Sequence, residues 1–421
     1  MNTDIIKKIL NEHIKEIRVE ESEIKKIKSD VKKFCLKLKD KIKNKKIDAQ
    51  VFIGGSLAKH TLIKKDKYDV DVFVRFNKKY SNELSNILKE ILGKDVKTIH
   101  GSRDYFQIKK DKIVIEIVPV IKIKRPEEAL NVTDLSYFHV KYVKDKLKKN
   151  KSLIKEIKLA KSFCEANRVY GAESYIKGFS GYSIELLIIH YGSFLKFIEA
   201  IAENKKDQII IDDLGFYKRG NVLSSLNETK TRSPIILIDP TFKERNVLAG
   251  LSYETFLKFK KICKEFLKKP ALSFFKKKDI YGEIKNENGL RIISIKTNKP
   301  RGDVAGTKSK KFFNFFINEL KKEFEVKKAE FEYNEMKNIA YFYLVLNKKK
   351  DEIIKGPPVC LIENFNNFKR THPNIIIKNN IAYAKISHIV EFEEFFKNFL
   401  EKNKKIIKDM SIKEIKILKS F

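Results

Sequence analysis

A short apolar run, a double glycine and an alternating run that carries two carboxylates constrain this chain more than any other stretch. Val51 to Ile53 reads as a short buried strand, Gly54-Gly55 as a tight turn, and Tyr68-Asp-Val-Asp-Val-Phe-Val-Arg75 as a second strand. Glycines at a strand end let backbone N–H groups come close to a phosphate. Ser56 would then open a helix whose N-terminus favours anions. In a strand, Asp69 and Asp71 point to one face, while Val70, Val72 and Val74 point to the other and pack. Two carboxylates beside such a turn form half of a cradle for a divalent cation.

A third carboxylate has a plausible place. Lys112-Ile-Val-Ile-Glu-Ile-Val-Pro119 is a β-rich apolar run ended by proline, and Glu116 is its one acidic residue. A carboxylate in a buried strand is costly unless it is paired or bound to a metal. Three carboxylates on neighbouring strands could hold two Mg²⁺ ions, the arrangement that clamps attacking and leaving oxygens in phosphoryl or nucleotidyl transfer. An Asp-x-Asp alone is more often a solvated edge. The preceding Gly-Ser turn and the following strand carboxylate make this one a candidate site.

The run Gly55-Ser-Leu-Ala-Lys59, then Asp69-Val-Asp71, then Glu116 resembles the signature of the polymerase-β-like nucleotidyltransferase superfamily. Longer segments narrow the resemblance to its class I, archaeal-type CCA-adding enzymes. These are Asn131–His139, Arg168–Glu173, Gly178–Leu187, His190–Phe194, Ile238–Val247 with Leu251-Ser252, and more faintly Gly356–Val359 with Glu363–Phe365. The resemblance implies a template-independent enzyme that adds C, C and A to the tRNA 3′ acceptor end from CTP and ATP and releases pyrophosphate. It implies two Mg²⁺ ions on Asp69, Asp71 and Glu116, with Glu116 standing where the family usually has Asp. It implies nucleotide contacts from Gly55, Ser56, Lys59, Ser136 (a threonine in the family), His139, Lys161, Tyr170 and Arg245. Two alternatives stay open: another RNA nucleotidyltransferase, such as a poly(A) or oligoadenylate-type polymerase or a signalling nucleotide synthase, and a catalytically inactive RNA-binding homologue.

Composition agrees with a polyanionic partner. Ninety Lys and Arg against 55 Asp and Glu leave a formal net charge of +35, a field that steers nucleic acid and makes its binding salt-sensitive. A lysine-rich coding bias spread over every surface would give the same count, so charge alone is weak evidence. The four cysteines, at 35, 164, 263 and 360, lack C-x-x-C spacing, which argues against a zinc site or a disulfide framework. The sequence has neither an apolar leader nor a run long enough to span a bilayer. A cytoplasmic protein with no membrane role is the expectation. Nothing in the sequence sets an oligomeric state, and a homodimer is allowed.

The expected fold class is α+β and multidomain, comprising a nucleotidyltransferase palm of mixed sheet with flanking helices, a helical central domain and an α+β C-terminal domain. Expected boundaries are 1–138 for the catalytic part, of which 1–47 is a helical extension, 139–260 for the central part and 261–421 for a tRNA-binding body. Ile5, Ile6, Ile9, Leu10, Ile14 and Ile17 place one apolar side on the extension. Gly171, Gly178 and Gly181 break the helical pattern of Lys141–Ile201, and Pro300–Lys310 reads as a flexible loop. Arg245 is expected on a loop or helix start after the apolar run Ile235–Ile238.

Overall fold

The computed structural model describes every residue except Met1, Ser102, 218–220, 299–300, 350, 387–390 and 419–421, and gives no side-chain placement for Asn2, Thr3 and Ile386. The chain divides into two compact units, Met1–Lys277 and Lys278–Phe421.

The first unit opens with helices α1 (Asn2–Glu16) and α2 (Glu21–Asn44). There follow β1 (Ala49–Ile53), the single turn α3 (Gly55–Ala58), β2 (Tyr68–Phe76), α4 (Leu84–Leu92), β3 (Lys97–Ile99), β4 (Tyr105–Lys110) and β5 (Ile113–Ile121). The five strands form one mixed sheet in the order β1-β2-β5-β4-β3, with β2 and β5 parallel. Val70, Val72 and Val74 are buried, as their alternation requires, and pack with Leu84 and Leu88 of α4 and with Ile27, Val31, Leu38 and Ile42 of α2. The sheet therefore has one covered face, and its other face carries Asp69 and Asp71.

A second core lies in the same unit. Helices α5 (Ser136–Lys149), α6 (Leu153–Ala166), α7 (Gly181–Tyr191) and α8 (Phe194–Glu203) bury Phe163, Phe179, Phe194 and Phe197 together. Ile6 and Leu10 of α1 join this core, while Ile5 of the expected apolar side is exposed. Between α6 and α7 the chain is non-helical, and Tyr170 and Phe179 form a parallel bridge. Beyond α8 come β6 (Ile209–Ile211), the short α9 (Val222–Ser225) and α10 (Glu228–Thr231), β7 (Ile235–Asp239), β8 (Phe242–Asn246) and α11 (Tyr253–Lys268). A small sheet β6-β7-β8 accompanies the helices of this mostly helical part. It places Arg245 in an edge strand and not on a loop or helix start, because Phe242–Asn246 returns against Ile238-Asp239 as an antiparallel partner.

The second unit is α+β. Its elements are α12 (Ile280–Ile284), β9 (Leu290–Thr297), α13 (Gly302–Glu323), β10 (Phe324–Asn334), β11 (Ile339–Lys348), β12 (Glu352–Pro358), α14 (Ile362–Thr371), β13 (Ile375–Lys378), β14 (Ile381–Ile386), α15 (Phe392–Lys402), α16 (Lys404–Asp409) and β15 (Ile412–Leu418). They build a four-stranded sheet β10-β11-β9-β15 and a three-stranded sheet β12-β14-β13. The expected loop 300–310 is helix from Gly302 onward; Pro300 lies outside the described residues. Ala305, Gly306 and Ser309, small residues that read as loop, are buried on this helix, which packs on the four-stranded sheet. Among the described residues no helix is long and apolar enough to cross a membrane, and all four cysteines are free.

Candidate active site

The turn after β1 and the carboxylates of β2 are built against one another. The Gly54 N–H donates to the Asp71 carbonyl at 2.8 Å, which closes β1 onto β2. Gly55 has φ of +58°, a conformation side chains disfavour. A Cβ on Gly55 would overlap Asp71 Oδ2 and lie 2.7 Å from its Cγ, so glycine is needed both for the turn and for the carboxylate's place. Asp71 is the register neighbour of Glu116 across the parallel pair, and Glu116 that of Gln107 across β5 and β4. Asp69, Asp71 and Glu116 therefore share one face of the sheet.

The electrostatics of this face suit a cation. Burial pushes both aspartates up from their ordinary range; Lys65 opposes this at Asp69. At Asp71, Lys59 and Lys161 oppose it, whereas Asp69 adds to it. Hard oxygen donors that repel one another on one face suit a hard divalent cation. The side chains do not yet converge: among the described residues no three His, Cys, Asp or Glu groups stand close enough to hold an ion. Glu116 is engaged instead by the Gln107 side chain, whose Nε2 donates to Glu116 Oε1 at 2.7 Å.

Beside the carboxylates lies a buried basic cluster. Lys59 Nζ, just past α3, donates to Glu185 Oε2 at 2.6 Å, and Lys161 Nζ on α6 donates to Glu185 Oε1 at 2.7 Å and to Thr61 Oγ1 at 3.1 Å. Glu185, on α7, is fully buried, and both lysines are below a tenth exposed. Burial alone would push the Glu185 carboxyl up, but Lys161 and Lys59 together hold it below its ordinary value. Tyr170 sits against the start of α7: a Cβ on Gly181 would lie 3.0 Å from its hydroxyl and 3.9 Å from Lys161 Nζ. Burial, with Glu165, Glu185 and Asp71 nearby, pushes the Tyr170 phenol well up.

A second cluster centres on Asp239 at the end of β7. This buried carboxylate is 3.0 Å from His139 Nε2, and accepts from Arg245 Nη1 at 2.7 Å, the Tyr182 hydroxyl at 3.0 Å and the Thr241 hydroxyl at 2.7 Å. Burial opposes ionisation, yet His139 and Arg245 hold the carboxyl far below its ordinary value. The His139 ring stacks on Tyr182 at 4.2 Å. Ser136 is the first residue of α5, one turn before His139.

Nine of the eleven candidate residues thus fall into two groups, while Glu116 lies beside Asp71 on the sheet face and Ser136 opens the helix that carries His139. Gly55, Ser56, Lys59, Asp69, Asp71, Lys161 and Tyr170 surround the β1–β2 turn. His139 and Arg245 share Asp239. Glu185, Asp239, Tyr182, Thr61 and Gln107 were not legible as site residues. Glu185 and Asp239 did leave a signal: each is a lone acid in or at the end of an apolar run, Ser183-Ile-Glu-Leu-Leu187 and Ile235-Ile-Leu-Ile-Asp239, as Glu116 is in its own.

The chain is similar to known proteins. Residues 155–276 match the family described as tRNA nucleotidyltransferase, second domain, and residues 5–139 match the Second Messenger Oligonucleotide or Dinucleotide Synthetase domain. A CCA-adding enzyme of Nanoarchaeum equitans is 34% identical over 78% of this chain and 81% of its own, and one of Methanocaldococcus jannaschii is 31% identical over 95% and 91%. The chain belongs to the CCA-adding enzyme family. Like the other members of the CCA-adding enzyme family it is a nucleotidyltransferase, a class of enzyme that generally uses divalent metal ions. Its fold is shared with a cytoplasmic RNA terminal U-transferase, 14% identical with TM-score 0.51 over 66% of this chain and 99% of that one. It is shared also with the Cid1 poly(U) polymerase, 15% identical with TM-score 0.51 over 64% and 98%.

Proposed function

We propose that this CCA-adding enzyme completes tRNA by adding C, C and A to the 3′ end from CTP and ATP, without a nucleic-acid template. The observation that carries the reading is the apposition of Gly55 and Asp71, which sets a carboxylate face against a backbone turn and two buried lysines. Two Mg²⁺ ions on Asp69, Asp71 and Glu116 would supply the charge that stabilises the attacking and leaving oxygens. For Glu116 this requires release from Gln107, and its carboxylate is the one we assign to the 3′-hydroxyl proton.

The remaining assignments follow the residue chemistry. Ser56 and the turn N–H groups hold the β- and γ-phosphates. Lys59 and Lys161 neutralise them. Tyr170, Ser136 and His139 contact the triphosphate and ribose. Arg245, a planar fork of donors, reads the base together with tRNA phosphates. Residues 1–138 carry catalysis, the rest of the first unit, 139–277, the nucleotide and acceptor end, and the second unit, 278–421, the tRNA body. The +35 net charge favours that polyanion. We place the enzyme in the cytoplasm, with a homodimer allowed.

The match of residues 5–139 to a second-messenger synthetase domain favours one other reading, a signalling nucleotide synthase. Incubation with CTP and ATP, with and without tRNA ending at the nucleotide before CCA, separates the two. The proposed activity extends the tRNA by three nucleotides and forms nothing from nucleotides alone. A cyclic or oligonucleotide product without tRNA would support the synthase.

A further inference from the structure

The Lys59–Glu185–Lys161 cluster is an unusual thing to bury. Two ammonium groups share one carboxylate with no exposed surface, at 2.6 and 2.7 Å, and each lysine comes from a different part of the first unit. Lys59 follows the Gly55–Ala58 turn of the catalytic sheet, while Lys161 and Glu185 lie on α6 and α7 of the helical core. Desolvating such ions costs several kcal/mol each, which geometry must offset. A hydrophobic contact would join the two cores at less cost, so burial of these charges calls for a reason beyond packing.

Proton counting supplies one. Each ammonium has three N–H bonds. Glu185 takes one from each lysine and Thr61 takes another from Lys161. Among the described residues three N–H bonds remain across the pair for an anion, and the cluster keeps one net positive charge. It lies near Asp71, whose carboxyl feels both lysines. Glu185 fixes two flexible side chains in a buried pocket: burial pulls the Lys161 ammonium down from its ordinary value, and Glu185 opposes it.

We propose that Glu185 is a positioning residue that presents Lys59 and Lys161 together to the triphosphate of the incoming nucleotide. It touches neither substrate nor metal; it acts through the two lysines. The inference rests on the proposed nucleotide transfer and deepens it, because it makes affinity depend on phosphate number through a residue outside the contact layer.

The test uses the full-length enzyme, Glu185→Gln and Glu185→Asp. KM and kcat for CTP are measured on tRNA lacking CCA, binding of CTP and CMP by calorimetric titration, and folding by thermal melting. Glu185→Gln should raise KM for CTP by about tenfold or more, the usual scale of a lost charge-assisted contact, with kcat changed by less than about threefold. CTP binding should weaken while CMP binding hardly changes, and Glu185→Asp should recover part of the loss. Unchanged or tighter CTP binding, or equal losses for CTP and CMP, would overturn the proposal. Should Glu185→Gln fail to fold, Glu185→Asp carries the test: a KM rise with the same CTP-over-CMP bias is expected, and its absence refutes the role. A wild-type enzyme that binds CTP but extends no tRNA would count against the proposed function and leave this binding comparison intact.

Discussion

Gly55 leaves the room that the Asp71 carboxylate occupies: a Cβ on the glycine would overlap Asp71 Oδ2. Gly55→Ala should therefore act on catalysis more than on folding. The left-handed conformation costs a side chain about 1–2 kcal/mol. Displacing a carboxylate from its place should slow nucleotide addition by about 10²-fold or more. Initial rates and thermal melting of the variant check this, and full activity would show that the turn does not set the position of Asp71.

Arg245 is not a bystander at the protein surface. Its guanidinium donates to a carboxylate with no exposed surface, and His139, Tyr182 and Thr241 meet the same group. Arg245→Ala should cost about 1–3 kcal/mol of stability, because it removes one cation from buried Asp239. The side chain itself is about a fifth exposed, which keeps the effect below that of a fully buried pair. Denaturant midpoints measure it; an unchanged midpoint would mean that Asp239 is satisfied without the arginine. Discrimination of CTP from UTP should fall in parallel.

Glu116 separates charge from shape. Glu116→Gln keeps a carbonyl for the Gln107 amide but loses the charge, and addition should slow by about 10²-fold or more. Glu116→Asp is too short for the Gln107 contact but restores a carboxylate, and should keep the larger share of activity. Activity in the Gln variant with none in the Asp variant would identify Glu116 as a partner of Gln107 and nothing more.

His13 gives the fold a pH dependence away from the site. Burial holds its imidazole below the ordinary 6.5, against the opposing pull of Glu16. A neutral ring protonated at Nδ1 donates to Glu16 and accepts from the Ser162 hydroxyl at Nε2, 2.6 Å away. With the folded value depressed, this contribution to stability is complete above pH 6.5 and is lost as pH falls through the lowered value. The melting temperature should drop below pH 6.5, and His13→Gln should reduce that slope. Some slope should remain, because His139 is shifted the same way by burial. A slope identical in the variant would place the titration elsewhere.

The strand that carries the candidate carboxylates was legible because alternation fixes faces: Val70, Val72 and Val74 went to the core and left Asp69 and Asp71 together. The register that makes Glu116 the neighbour of Asp71 was not legible, since parallel pairing is set by α4 and the β3–β4 hairpin rather than by either strand. Gly302–Lys310 misled for a related reason. Small residues mark loops in isolation, yet here they let a helix approach a sheet closely. Asp239 and Glu185 were missed because a lone acid in an apolar run declares that it has a partner without naming it. Their partners lie 100 and 126 residues away for His139 and Lys59, and only the fold brings them in.

The most direct test of the account supplies labelled CTP and ATP to tRNA lacking its CCA end and sequences the product. The wild-type enzyme should extend the 3′ end by C, C and A and then stop. Asp71→Ala should bind the tRNA with nearly unchanged affinity and extend nothing. Failure of the wild type to extend, or full extension by Asp71→Ala, would contradict it.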